Sequence, residues 1–300
     1  MPKRLIPPVG VRFTVSVLNA HAHLFAVTLL IEQPAKNQRV SLPVWIPGSY
    51  LVREFSQHLQ NLQAWQDGQP VAIQQLDKNQ WQANAVAGKP LELQYEVYAF
   101  DASVRTAFLD STRGFFNATS LCLRVAGQED QPHALEIVAS AATQGWSAVT
   151  GLPAHSVNAS GFGHYRAADY DELADCPVEM GRFWNGHFTA GGVEHRFVIS
   201  GAGAWLDGER LIDDTRRICE AQIALWHGDG APPFTSYVFM LHASADGYGG
   251  LEHRNSTALI CQRADLPRLR PSTSEKPAAL KATDGYTTLL GLISHEYFHT

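Results

Sequence analysis

The chain of 300 residues is poor in charge, in sulfur and in long apolar runs. Charged residues make up only 17%, against a usual ~25%, and acidic residues outnumber basic ones by 29 to 23. The formal net charge of -6 leaves no basic stripe, which excludes a nucleic-acid partner and a polybasic grip on a membrane. No apolar run approaches the ~20 residues that span a bilayer; the longest lie near Leu24–Ile31 and Tyr286–Ile293. The opening MPKRLIPPVG has basic residues but no apolar stretch behind them, so it does not read as a secretory signal. Only four cysteines occur, Cys122, Cys176, Cys219 and Cys261, and none forms a C-x-x-C pair. Together these absences predict reduced, buried thiols in a cytoplasmic protein rather than a disulfide framework.

What the chain does hold is apolar material: 45% of residues are hydrophobic, which excludes disorder. At about 150 residues per domain, the length predicts two domains. The first stretch reads as β. Val11–Leu18 and Leu91–Phe100 alternate apolar and polar residues, and Leu24–Ile31 is rich in strand formers. Leu62–Trp65 and Val71–Ile73 flank Asp67-Gly68, a strong hairpin signal. Leu121–Val125, Leu135–Val138 and Trp146–Val149 add short strands, and the turn spacing is that of a sandwich. Leu51–Leu59 fits either a strand or a short helix.

After Tyr170 the texture changes. Asp171–Asp175 is acidic and turn-like and Cys176-Pro177 interrupts it, so a domain boundary is expected there, giving domains 1–170 and 171–300. Val193–Ser200, Thr235–Leu241 and Ser256–Cys261 read as strands. Leu206–Trp226 has helical periodicity and Gly228–Pro233 stops it. Arg263–Lys281 reads as an exposed loop, and Thr283 or Asp284 caps a last helix. Asp213-Asp214 and Arg216-Arg217 read as a solvated helix face. Strand–helix–strand–strand–helix predicts an α/β or α+β second domain.

That last helix carries the chemistry. His295-Glu296-x-x-His299 is an H-E-x-x-H motif. Four residues apart on a helix, the two imidazoles stand about 40° apart around the axis and ~6 Å along it, so they can converge on one metal ion. Zinc is the ion that suits neutral imidazoles in an open hydrolytic site. Glu296, about 100° round from His295, stands where a general base for an attacking water belongs. A catalytic zinc takes three protein ligands. The motif supplies two, and His242, Asp246, Glu252 and His253 all precede the helix as possible thirds. The remaining histidines are scattered, and none of them is assigned to a metal.

Several segments in order resemble one family. Leu42–Phe55 (LPVWIPGSYLVREF), Asp101–Asp110 (DASVRTAFLD), Arg113–Leu123 (RGFFNATSLCL), Asp175–Gly181 (DCPVEMG), Gly249–Ser256 (GGLEHRNS) and His295–His299 are similar to the M61 metallopeptidases, the glycyl aminopeptidase group. The resemblance implies a β-sandwich amino domain followed by a thermolysin-like, gluzincin α+β catalytic domain, of which this chain holds the first part. It implies a zinc-dependent aminopeptidase acting on peptides with small first residues, Gly or Ala. It assigns zinc to His295 and His299, the base to Glu296, and the third ligand to a Glu downstream of His299, where a PDZ domain is also expected.

Two sites then gain a role beside a plainer one. Glu252 can hold the free α-ammonium of a substrate, with Gly249 and Gly250 letting its backbone approach, or it can be a solvated residue in a turn. Tyr50 and Arg53 can reach a catalytic face, or lock the amino domain internally with Arg53 paired to a carboxylate. Two other functions stay open: an endopeptidase of the same zinc fold, and a non-catalytic structural or binding module.

Overall fold

Val11–Asn19, Leu24–Ile31 and Leu91–Tyr98 each bury every second residue and pair antiparallel side by side, as their alternation predicts. They form the middle of a sheet of eight strands. Across it run Ala154–Val157, Gly163–Ala167, His133–Ile137, Val11–Asn19, Leu24–Ile31, Leu91–Tyr98, Leu59–Gln66 and Gln69–Val71. The computed structural model describes residues 9–228, 230–269 and 282–299. The chain divides into two units between Gly181 and Arg182.

In the first unit, Asp67 and Gly68 both take positive φ and join two antiparallel strands, the tight turn their sequence calls for. Two smaller sheets of four strands complete it. One runs Ser147–Thr150, Val178–Gly181, Arg113–Phe116, Ala107–Leu109; the other Arg124–Val125, Arg39–Ser41, Gln80–Ala83, Ile73–Asp77. The large sheet faces the first of these through Phe25 and Phe116, whose rings meet edge to face at 5.6 Å. Tyr95 closes the same layer by donating its hydroxyl to the Leu121 carbonyl at 2.6 Å.

Several local expectations shift. Leu51–Leu59 resolves into a 3-10 turn at Phe55–His58, followed by the strand from Leu59. Ala118–Leu121 is a short helix, so the strand expected at Leu121–Val125 shrinks to Arg124–Val125. The acidic Asp171–Asp175 stretch is not a turn. Asp169 caps a helix over Tyr170–Ala174 by accepting from the Glu172 amide. Val178–Gly181 then pairs with both Arg113–Phe116 and Ser147–Thr150. These bonds hold residues 171–181 in the first unit, so the division falls later than Tyr170.

The second unit is a mixed sheet of five strands with helices packed on it. Its order is Trp184–Ala190, Val193–Ser200, Ser236–Ser244, Ser256–Gln262, Gly249–Glu252. The three middle strands are parallel to one another, and both outer strands run antiparallel to their neighbours. Gly208–His227 is the helix that connects the first parallel pair. Asp207 caps it, and Gly228, at φ 57°, ends it. Leu266 and Pro267 are buried, and Leu206 bridges to Arg268, so the start of the expected exposed loop is folded in. Residues 270–281 of that loop lie outside the described residues. All four cysteines are buried, and none is in a disulfide. Among the described residues there are four α-helices, and none is long and apolar enough to cross a membrane.

Candidate functional site

Thr283 caps the last helix by accepting from the Tyr286 amide at 3.1 Å, and the helix runs Asp284–Tyr297. It buries Tyr286, Leu289, Leu292, Ile293, Glu296 and Tyr297. Two bonds tie it to the Gly208–His227 helix. Tyr286 donates to the Asp214 carboxylate at 2.8 Å, and Gln222 donates to the Ser294 carbonyl at 2.8 Å. Asp214 is therefore not part of a purely solvated face, although Arg216 pairs outward with Asp213 and Glu220.

His295 and His299 project from the exposed side of this element, with ring centroids 5.1 Å apart and planes at 79°. One nitrogen of each, and one oxygen of the intervening Glu296, lie within 4.8 Å of one another. The assigned helix reaches Tyr297, and Phe298 keeps αR dihedrals, which preserves the four-residue spacing of the imidazoles. Two convergent imidazoles on an accessible surface are a donor set that zinc accepts. Among the described residues, His242, Asp246, Glu252 and His253 do not join this grouping.

Glu296, unlike the two exposed histidines with which its carboxylate converges, is only 5% exposed. Its carboxylate lies on the backbone of Gly250: a β-carbon there would run into the carboxyl group. The Asp284–Tyr297 helix packs against the Gly249–Glu252 edge strand at this point. Register shows what else faces it. Gly250 pairs with Leu259 and Glu252 with Thr257, and residues two apart line one face of a strand. Gly250 and Glu252 thus share the face that meets Glu296, whereas Gly249 lies on the opposite one.

Beneath the helix end is an aromatic cage. Tyr237, Phe239, Phe234 and Tyr297 are buried around His195, which is itself fully buried. Burial, then the adjoining Cys219, Tyr297, Glu296 and Glu252, push the Tyr237 phenol well above its ordinary value. Both carboxylates are therefore within electrostatic reach of one buried hydroxyl. Burial also lowers the pKa of His195, which keeps the ring neutral. His195 looks in sequence like one more scattered histidine, and only its parity with Phe197 and Ile199 on Val193–Ser200 marks it as inward-facing.

Trp45–Arg53 forms a self-bonded turn in the first unit. Trp45 donates to the Ser49 carbonyl at 2.8 Å and Arg53 to the Ser49 hydroxyl at 3.0 Å. Tyr50 is 99% exposed, so it does not lock the unit internally, and Arg53 has no carboxylate partner among the described ion pairs.

Fold and site together define an H-E-x-x-H protein: an exposed histidine pair and a buried carboxylate on one helix, set against the edge of a mixed sheet. The chain belongs to the M61 family of peptidases, since the Peptidase M61 N-terminal domain matches residues 12–182. It is similar to the crystal structure of an aminopeptidase N family protein from Idiomarina loihiensis, at 42% identity and a TM-score of 0.90. That match covers 96% of this chain and 47% of the other, so the chain spans about half the length of this relative. An M1 zinc metallopeptidase from Deinococcus radiodurans matches at 14% identity and a TM-score of 0.47, over 85% of this chain and 62% of that one, too distantly to carry an argument. Curated proteins yield no match.

Proposed function

We propose that the second unit carries the active-site helix and substrate edge of a thermolysin-like zinc aminopeptidase that removes Gly or Ala from the start of peptides. The observation that carries this reading is the convergence of His295, Glu296 and His299 within 4.8 Å. The histidines would hold zinc, with a third ligand, by family resemblance, from a Glu beyond His299. When bound, zinc supplies Lewis acidity toward a carbonyl and toward water.

The protein's own groups do the rest. Glu296 accepts the proton of the attacking water as its oxygen adds to the peptide carbonyl. It then gives that proton to the departing amine as the C–N bond breaks. Glu252 holds the substrate's α-ammonium by a charge-assisted hydrogen bond. Gly249 and Gly250, without side chains of their own, would let the substrate backbone approach the strand closely.

Metal analysis and kinetics of the full-length protein test this. One zinc per chain is expected, removable by chelator with loss of Gly and Ala release. Glu296→Gln should retain the metal and lose roughly 10²–10⁴-fold in turnover. Glu252→Ala should harm peptides with a free amine far more than N-blocked ones. Turnover that survives Glu296→Gln overturns the reading. Equal losses on free and blocked peptides remove Glu252 from the amine site.

A further inference from the structure

His295 and His299 stand two residues to either side of Tyr297, and both are exposed where Tyr297 is buried.

Tyr297 is held by a chain of hydrogen bonds through the core of the second unit. His195 Nδ1 is 2.9 Å from the Val193 carbonyl, and its Nε2 is 2.8 Å from the Tyr297 hydroxyl. A carbonyl only accepts, so Nδ1 carries the ring proton. In the neutral ring Nε2 is then an acceptor, and Tyr297 donates to it. The direction is consistent: Tyr297 donates to His195, and His195 donates to the Val193 carbonyl. The rings around it leave little play, with Phe188 stacked on His195 at 4.8 Å and Tyr237 against Tyr297 at 4.9 Å.

We infer that the buried His195–Tyr297 hydrogen bond is a positioning device that fixes the rotation of the helix at residues 295–299 and so the alignment of His295 and His299. Neither residue touches the metal or the substrate. Each acts through the backbone of residues 295–299. The inference rests on the zinc reading above, and deepens it by naming the sheet strand Val193–Ser200 as the part that sets ligand geometry. A residue that only filled the core would affect folding stability and leave metal affinity alone.

Zinc affinity of the full-length protein, read by competition with a chromophoric chelator, separates these cases. Tyr297→Phe removes one hydroxyl and keeps the ring. It should weaken zinc binding by about 10–100-fold, the usual cost of losing a partner that orients metal ligands. His195→Phe should cost the same, and the double variant no more than either single one. His195→Gln, which restores an acceptor, should recover most of the loss. Should Tyr297→Phe fail to fold, His195→Phe removes the same bond from the sheet side and is read by the same criterion. Affinity within twofold of the unmodified protein, or single losses that add in the double variant, overturns the inference, whatever happens to the melting temperature. Absence of zinc binding in the unmodified protein sinks the metal reading and this inference together. Zinc binding that is blind to Tyr297→Phe sinks the inference alone.

Discussion

Gly250 is small because Glu296 lies on it. The carboxylate occupies the volume of the missing side chain, so the edge strand and the helix end set one another's position. Gly250→Ala should push the carboxylate away and cost about a hundredfold in turnover, the scale of an ångström of misplacement at a reacting group. Zinc content should stay unchanged, because the proposed ligands are the imidazoles and not Glu296; steady-state kinetics beside metal analysis checks both. Spacing within the motif made His295, Glu296 and His299 legible from sequence alone. The closeness of Gly250 to Glu296 was not legible, because it joins segments more than forty residues apart through a register that no local pattern encodes. The His195–Tyr297 pair is hidden for the same reason, across an interval of 102 residues.

Among the elements, length separates what sequence reveals from what it conceals. Val11–Asn19, Leu24–Ile31 and Leu91–Tyr98 run for eight or nine residues and show their period. Arg113–Phe116 and Val178–Gly181 have four residues each and are buried throughout, so no alternation appears. They also bury a charge each. Arg113 grips Glu179 with two hydrogen bonds, at 2.9 and 2.7 Å, across paired strands, with Phe108 and Phe115 against the guanidinium. Acidic, Pro-interrupted sequence around Glu179 thus looks like a linker and folds as the centre of a sheet. Removing one partner of such a pair leaves a buried charge unmatched. Glu179→Ala should destabilise the first unit by about 3–5 kcal/mol, and Arg113→Met with Glu179→Leu by much less; urea melts decide.

For the whole molecule, acid is the condition to watch. His133 is fully buried between Phe13 and Tyr170, and burial lowers its pKa despite the Gln131 carbonyl that bonds it. Unfolding lets the ring take a proton near the ordinary value of 6.5, which the folded state resists. The unfolded state then binds more protons, so stability is greatest above 6.5 and falls as pH drops toward the lowered folded value. His133→Gln should flatten that fall, measured as the difference between urea midpoints above and below pH 6.5. Family membership was legible because six short segments keep their order along the chain, and order survives where each segment alone is weak. One pairing has a bearing on how the protein is made. Val11–Asn19 lies parallel to His133–Ile137, so its second edge stays unpaired until the ribosome has added more than a hundred further residues. At about 5–20 residues per second that wait lasts roughly 6–23 s, during which an apolar strand edge is open to other nascent chains. The edge most open to mispairing during synthesis is therefore that of this early strand.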